Sequence, residues 1–167
     1  EPVVLAVTGE GLGDFLTAEV FEPLDLAMVM DPVAQLPGKA VSYDGSGDDR
    51  EIADSRWEQL GDGGIQTTPR ELVRWASQYW DPTVGGPTIL TQRLDDAADI
   101  EFPDGTIDGR YGAGIQIFED PDIGPALSHS GGWGGSVTVF LVVPEERLAV
   151  AATCTSPETA IGLGIDD

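Results

Sequence analysis

The residue types that could do chemistry are concentrated in one short stretch, residues 128–135, which reads Ser-His-Ser-Gly-Gly-Trp-Gly-Gly. His129 is the only histidine of the chain, and an imidazole can hold or release a proton in the physiological pH range. Ser130 follows it directly and could hydrogen-bond a substrate carboxylate or relay that proton. The stretch therefore has the groups needed for proton transfer on a bound substrate.

Two glycines, Gly131 and Gly132, come directly after these polar residues. Because glycine has no Cβ, the backbone of a ligand can approach such a strand edge closely, and an extended substrate could pair with it. The same residue types are also compatible with a glycine-rich hairpin whose histidine faces solvent. The residues alone leave both interpretations open.

Apolar runs on both sides of the stretch predict the strands that must position it. They cover residues 111–118 before it and residues 137–143 and 148–153 after it, with residues 144–147 as the break between the last two. Short apolar runs separated by tight turns are typical of antiparallel strands. We therefore expect residues 128–135 to belong to an antiparallel sheet, with Cys154 buried in its last strand.

Helices are predicted around this sheet. The best-marked one begins at Thr68, where a capping hydroxyl, Pro69 and Glu71 form a capping-box pattern, and its many apolar residues predict that it is buried. Further helices are predicted over residues 1–8, 13–22, 91–98 and 157–165, and a long loop over residues 23–60.

The composition limits the classes of partner. Thirty acidic residues against eight basic ones give a formal charge of -22, so nucleic acid is not expected as a partner, because phosphate binding needs clustered Lys and Arg. No run of eighteen apolar residues occurs that would predict a membrane span. With one cysteine and one histidine the chain lacks the ligands of a structural zinc site. No metal and no cofactor are assigned.

The chain contains four short motifs in order: Phe21-Glu22-Pro23-Leu24, residues 61–72, Tyr111-Gly112-Ala113-Gly114 and residues 129–135. Their order and spacing resemble those of the serine hydrolases of the class C β-lactamase and penicillin-binding protein family. The resemblance covers nearly all 167 residues but only about the C-terminal half of a family member. It implies an α+β fold, an antiparallel β-sheet flanked by helices, in which residues 1–167 are the C-terminal portion of a single domain whose N-terminal part is absent.

The resemblance also implies roles for individual residues. His129 would occupy the electrostatic and proton-handling position of the family's third motif, and Ser130 would bind the substrate carboxylate or assist proton transfer. The backbone N–H of Gly132 would form half of an oxyanion hole. Gly131 and Trp133 would line the substrate groove, although packing of Trp133 on its hairpin neighbours is the alternative.

Two further family motifs are missing from the chain. Its one lysine, Lys39, has Leu36 three residues before it and cannot complete a Ser-x-x-Lys nucleophile, and no tyrosine begins Tyr-x-Asn. On the resemblance both motifs lie upstream of Glu1, and the missing N-terminal half of the domain is the expected partner.

The reaction implied for the intact protein is acyl transfer through a covalent serine ester. Its substrate would be a small molecule or peptide with a carboxylate, cleaved at an amide, β-lactam or ester, and the family suggests an extracytoplasmic location. The chain alone should be inactive. The alternative is a non-catalytic binding module that retains the substrate groove, in which case the gene itself would begin near Glu1.

The charge predicts a response to salt. We expect the melting temperature to rise between low and molar potassium chloride, because like charges spread along the whole chain repel one another over a longer range when screening is weak. Thermal unfolding followed by circular dichroism measures this, and sucrose, which stabilises without screening, is the control. The charge thus leads to the hypothesis that the protein is adapted to high salt, and a melting temperature that does not rise with salt would contradict it.

Overall fold

The structure, a computed structural model, describes residues 1–53, 60–105 and 107–156. The helix predicted over residues 157–165 lies outside the described residues. The helices are α1 (Pro2–Thr8), α2 (Leu12–Leu16), α3 (Pro69–Trp75) and α4 (Gly86–Asp95), with a π-helical turn over Thr17–Phe21 and 3-10 turns over Gly47–Asp49 and Ala76–Tyr79. The strands are β1 (Val29–Met30), β2 (Tyr43–Asp44), β3 (Glu51–Ile52), β4 (Ile65–Gln66), β5 (Ala98–Glu101), β6 (Ile107–Gly112), β7 (Ile115–Asp120), β8 (Gly124–Trp133), β9 (Ser136–Val143) and β10 (Leu148–Cys154).

The main sheet has six antiparallel strands in the order β10-β9-β8-β7-β6-β5, so each strand pairs with its neighbours in sequence. The predicted strands over residues 137–143 and 148–153 are confirmed as β9 and β10. The prediction of one strand over residues 111–118 is wrong, because the chain reverses between β6 and β7. Ala113 and Gly114 both have left-handed backbones there, with φ of 49° and 81°, which is the geometry of a two-residue hairpin turn.

The helices near the N-terminus lie where the sequence predicts them, whereas a later helix lies elsewhere. The helix over residues 1–8 is confirmed as α1, which ends at Gly9 with φ of 78°, and residues 13–22 are helical as α2 and the π-helical turn. The helix predicted over residues 91–98 lies earlier, as α4. Pro87 occupies its first turn, where the missing N–H costs nothing, and Ala98 begins β5 instead. The predicted long loop contains β1, β2 and β3, which are too short to produce visible alternation.

Helix α3 joins two hydrophobic clusters formed by the described residues. The first lies on one face of the main sheet and consists of Ala76, Tyr79, Ile115, Leu127, Phe140 and Val142. The second consists of Leu12, Phe21, Leu26, Met28 and Met30. Leu72 and Trp75 of α3 are partly buried and pack against both clusters. Full burial of a large apolar side chain stabilises a fold by about 1.5–3 kcal/mol, so each of these two contributes less than that.

The N-terminus of α3 forms only half of the predicted capping box. Thr68 Oγ1 accepts a hydrogen bond from the Glu71 N–H at 3.3 Å, as predicted. The Glu71 carboxylate does not return to the cap: it accepts the N–H of Ala27 at 2.9 Å and a bond from Arg74 at 3.2 Å. Glu71 is therefore buried, 6% exposed, and links α3 to the loop before β1.

Arg74 extends this link to the exposed carboxylate of Asp25, to which it donates at 3.0 Å. That hydrogen bond is the main cause of a pKa of Arg74 raised above its ordinary value. The predicted burial of apolar residues is confirmed only in the 3-10 turn after α3, where Ala76 and Tyr79 are buried. In α3 itself Leu72 and Trp75 are half-buried and Val73 is 40% exposed.

Cys154 is half-buried and not fully buried as predicted, because β10 is an edge strand of the sheet. Among the residues that the structure describes, no helix is long and apolar enough to cross a membrane.

The buried carboxylate of Glu71 gives a stability prediction. Glu71→Ala should lower the free energy of unfolding by about 1–3 kcal/mol, because it leaves the Ala27 N–H without its acceptor. Glu71→Gln retains an acceptor and should lose less. The matched control, Glu19→Ala on an exposed helical turn, should stay within about 0.5 kcal/mol. Urea unfolding measures all three, and equal losses for Glu71→Ala and Glu19→Ala would refute the assigned link.

Candidate active site

Strand β8 carries residues 128–133 and leaves part of one edge open. It pairs with β9 as far as Trp133, opposite Ser136, but with β7 only as far as Ser128, opposite Gln116. The tight turn at residues 113–114 starts β7 at Ile115, so β7 is too short to reach further. Within residues 1–53, 60–105 and 107–156, no strand pairs with this edge of residues 129–132.

This open edge offers backbone hydrogen-bonding groups. In an antiparallel strand, alternate residues direct their N–H and C=O away from a given neighbour, so some of residues 129–132 present these groups on the side without a partner strand. A Cβ built on Gly131 or on Gly132 meets no atom within 4 Å. Both glycines are exposed, and the structure therefore leaves room for a ligand backbone along the edge.

The imidazole of His129 is exposed and has a partner at each ring nitrogen. Its Nε2 lies 2.8 Å from the hydroxyl of Tyr111, and its Nδ1 makes a hydrogen bond with the carbonyl oxygen of Ser130. The two rings are 5.9 Å apart between centroids and are inclined by 53°. Sequence reasoning did not assign Tyr111 to the site; the available signal was the Tyr-Gly-x-Gly motif, which places a tyrosine immediately before the turn into β7.

The side chain of Ser130 does not meet that of His129. Successive residues of a strand point to opposite faces, and the contact between these two residues is made by the Ser130 carbonyl and not by its hydroxyl. Ser130 is exposed at the open edge, where a ligand lying along the strand could contact it. Its predicted role in binding a carboxylate remains a prediction, as do the roles of Gly131 and Gly132.

Trp133 brings two of the sequence motifs together. A Cβ on Gly63 would lie 3.1 Å from Cζ3 of Trp133, so the indole ring packs on the backbone of the loop before α3. The contact is therefore with a segment distant in sequence, in addition to the strand pairing with Ser136. A role for Trp133 in lining the groove remains a prediction.

The turn that ends β8 is fixed by the β2–β3 hairpin. Gly135 has φ of 72° and is buried, and a Cβ there would lie 2.8 Å from backbone atoms of Tyr43 and 2.7 Å from the Cβ of Ala53. The hydroxyls of Ser42 and Ser136 hydrogen-bond to each other across the same contact. The glycine-rich turn is thus a docking point for the hairpin as well as the end of the open edge.

A shallow depression of about 500 Å³ lies beside Ser128 and Gln116 on β8 and β7, and His129 does not line it. Asp108 and Glu119 give it an acidic lining. In the described part of the chain, no three His, Cys, Asp or Glu side chains converge in a way that could hold a metal ion.

Comparison with known proteins identifies the fold. The sequence profile of the family described as Beta-lactamase matches residues 2–162, while no curated protein sequence matches significantly. The D-stereospecific amidohydrolase from Streptomyces sp. is 18% identical with a TM-score of 0.72, over 92% of this chain and 46% of that one. The octameric penicillin-binding protein homologue from Pyrococcus abyssi is 19% identical with a TM-score of 0.74, over 97% and 40%. The D-amino acid amidase from Ochrobactrum anthropi SV3, complexed with D-phenylalanine, is 18% identical with a TM-score of 0.71, over 93% and 51%.

The chain thus spans between 40% and 51% of the length of these three structures. Their similarity in fold confirms the predicted α+β architecture, an antiparallel sheet flanked by helices. At such low sequence identity the likeness establishes the fold alone.

Two glycines at this site, Gly135 and Gly131, predict effects of very different size for the same substitution to alanine. Gly135→Ala should lower the free energy of unfolding by at least about 2 kcal/mol, because a left-handed backbone disfavours a Cβ and the methyl group overlaps the β2–β3 hairpin. Gly131→Ala, where the Cβ enters open space, should change it by less than about 0.5 kcal/mol. Chemical unfolding of both variants measures the difference, and similar losses would show that the open edge is already filled.

Proposed function

The chain belongs to the beta-lactamase family, and on this basis we propose that it is the C-terminal portion of a serine hydrolase that acts by acyl transfer. The observation that supports this most directly is the open edge of β8 at residues 129–132, with an exposed imidazole at its start. An edge without a partner strand can bind an extended acyl group through its backbone, and the imidazole can exchange a proton beside it.

The backbone of β8 would bind and polarise the substrate. The N–H of Gly132 is proposed to donate to the oxygen on which negative charge develops during attack, a contribution of about a hundredfold or more in rate. The absence of a side chain at Gly131 and Gly132 lets the scissile group approach the strand. The Ser130 hydroxyl, exposed at the same edge, would hold the substrate carboxylate.

His129 would act on the proton of the reacting groups. General acid or base catalysis by a positioned imidazole contributes about 10²–10⁴-fold. The net charge of -22 disfavours an anionic substrate, so a protonated imidazole at the edge would also offset part of that repulsion.

The attacking serine is proposed to come from a segment that precedes Glu1. The sequence contains neither Ser-x-x-Lys nor Tyr-x-Asn, and Lys39 is engaged with the carbonyl of Pro32 at 3.4 Å. Helix α1 is consistent with a covering segment of this kind, because the apolar side chains of Val3 and Val7 are 75% and 80% exposed. The N-terminal half of the domain would supply both the nucleophile and this cover.

An amide is the proposed scissile group. Two of the similar structures are named as a D-stereospecific amidohydrolase and a D-amino acid amidase. The family resemblance does not select β-lactam hydrolysis, since histidine in place of lysine in the third motif occurs in peptidase-like and esterase-like members. β-Lactams and esters are the related substrates to compare.

A binding module without catalysis is the alternative, and the absence of both nucleophile motifs from the 167 residues is the observation that favours it. Such a module would retain the open β8 edge and bind an extended peptide there. It differs from the enzyme in what precedes Glu1 in the gene.

Labelling with a fluorophosphonate distinguishes the serine hydrolase from the binding module. The protein expressed with the sequence upstream of Glu1 should be labelled at the serine of a Ser-x-x-Lys motif, and the 167-residue chain alone should not. His129→Ala should slow the labelling by about 10²–10⁴-fold, whereas Glu146→Ala, an exposed carboxylate in the β9–β10 turn, should not change it.

Each other outcome has a defined meaning. An in-frame start codon near Glu1, with no upstream motif, would favour the binding module. Labelling that is unchanged in His129→Ala would remove the imidazole from the mechanism, and labelling of the 167-residue chain alone would overturn the proposal that the nucleophile lies upstream.

A further inference from the structure

We propose that Tyr111 is a positioning residue that, together with the carbonyl of Ser130, holds the neutral imidazole of His129 in the tautomer that carries its hydrogen on Nδ1 and leaves Nε2 as the proton acceptor. Its importance for catalysis rests on the proposed function. The arrangement itself rests on the contacts of the two residues, and no assigned role of the site includes Tyr111.

The first step concerns Nδ1. Its partner is the carbonyl oxygen of Ser130, which can only accept a hydrogen bond. Nδ1 must therefore carry a hydrogen. A neutral imidazole has only one N–H, so its lone pair is on Nε2.

The second step concerns Nε2. It lies 2.8 Å from the Tyr111 hydroxyl, a normal hydrogen-bond distance. When the imidazole is neutral, the hydroxyl donates to the Nε2 lone pair. The reverse arrangement, in which Nε2–H donates to the hydroxyl oxygen, is weaker, because a phenol O–H is a better donor than its oxygen is an acceptor. When the imidazole is protonated, Nε2–H donates to the hydroxyl oxygen, since a phenol can act as either donor or acceptor. The same pair of atoms thus remains bonded before and after the imidazole takes up a proton.

The third step is the rigidity of the hairpin that carries Tyr111. The residue is paired with Gln116 on β7 and with Ala98 on β5, so it is held from both sides. The guanidinium of Arg93 on α4 donates to the carbonyl of Ala113 in the turn at 3.2 Å. The tyrosine hydroxyl is therefore presented from a fixed backbone.

The glycine after Tyr111 allows α4 to pack on this hairpin. A Cβ on Gly112 would lie 2.7 Å from the Cβ of Ala97 and 2.9 Å from the carbonyl oxygen of Arg93. Gly114 supplies the left-handed backbone of the turn. The motif Tyr111-Gly112-Ala113-Gly114 can thus be understood as a hydroxyl group and the turn that positions it.

The test uses the fact that His129 is the only histidine. In the protein labelled with ¹⁵N-histidine, two-bond ¹H–¹⁵N correlation spectra at alkaline pH report the tautomer of a single imidazole. We expect the Nδ1–H form to predominate, although an unconstrained imidazole favours Nε2–H. This measurement needs no variant.

Tyr111→Phe removes only the hydroxyl. The ratio of the Nδ1–H to the Nε2–H form should fall roughly threefold to tenfold, the effect of losing one hydrogen bond. Tyr43→Phe is the matched control, because the contacts of Tyr43 with Gly135 are made by its backbone, and it should leave the ratio unchanged.

A predominant Nε2–H form in the unaltered protein would overturn the proposal, as would an unchanged ratio in Tyr111→Phe. Neither readout depends on activity, so the two proposals can fail separately. If the imidazole shows the expected tautomer but the protein is not labelled by the fluorophosphonate, only the proposed serine hydrolase is contradicted. If labelling depends on His129 but the imidazole shows the other tautomer, only the proposed role of Tyr111 is contradicted.

Discussion

The difference in length between β7 and β8 is the constraint on which the candidate site depends. β9 supports β8 along residues 127–133, but β7 begins at Ile115 because the chain has just reversed through a two-residue turn. The end of β8 is therefore held on one side and open on the other. Strand edges of this kind are usually protected, and the acidic character of the chain gives this edge some protection against pairing with a second copy.

Helix α3 determines where that edge lies relative to the rest of the protein. Its apolar residues contact both hydrophobic clusters, and the buried carboxylate of Glu71 ties it to the loop that leads into β1. The loop before α3 in turn supports the indole of Trp133 through Gly63. One short helix thus connects the N-terminal helices, the sheet and the end of β8.

Features that depend on local chemistry could be predicted from the sequence. The cap at Thr68, the end of α1 at Gly9 and strands β9 and β10 each follow from residue types within a few positions of one another. The stretch from His129 to Trp133 was found because its residue types are unusual in combination. Its location on an antiparallel strand followed from the apolar runs beside it.

Features that depend on contacts between distant segments could not be predicted. Glu71 has the same sequence signal whether its carboxylate closes a capping box or binds Ala27, since only the tertiary fold brings Ala27 near. The turn at Ala113 was hidden because the apolar residues of β6 and β7 read as one run. For the same reason, the hydrogen bond of Tyr111 with His129 could be seen only once β6, β7 and β8 were in register.

The packing of Trp133 on Gly63 has a consequence for folding. This contact joins the loop before α3 to the far end of β8 and therefore closes a long loop. Since the entropy of loop closure must be overcome before such a contact stabilises the chain, we expect it to form after the more local contacts. The open strand end should thus acquire its final shape only after the sheet and α3 have come together. Partly folded chains would then not display a finished edge to one another while they are most prone to aggregate.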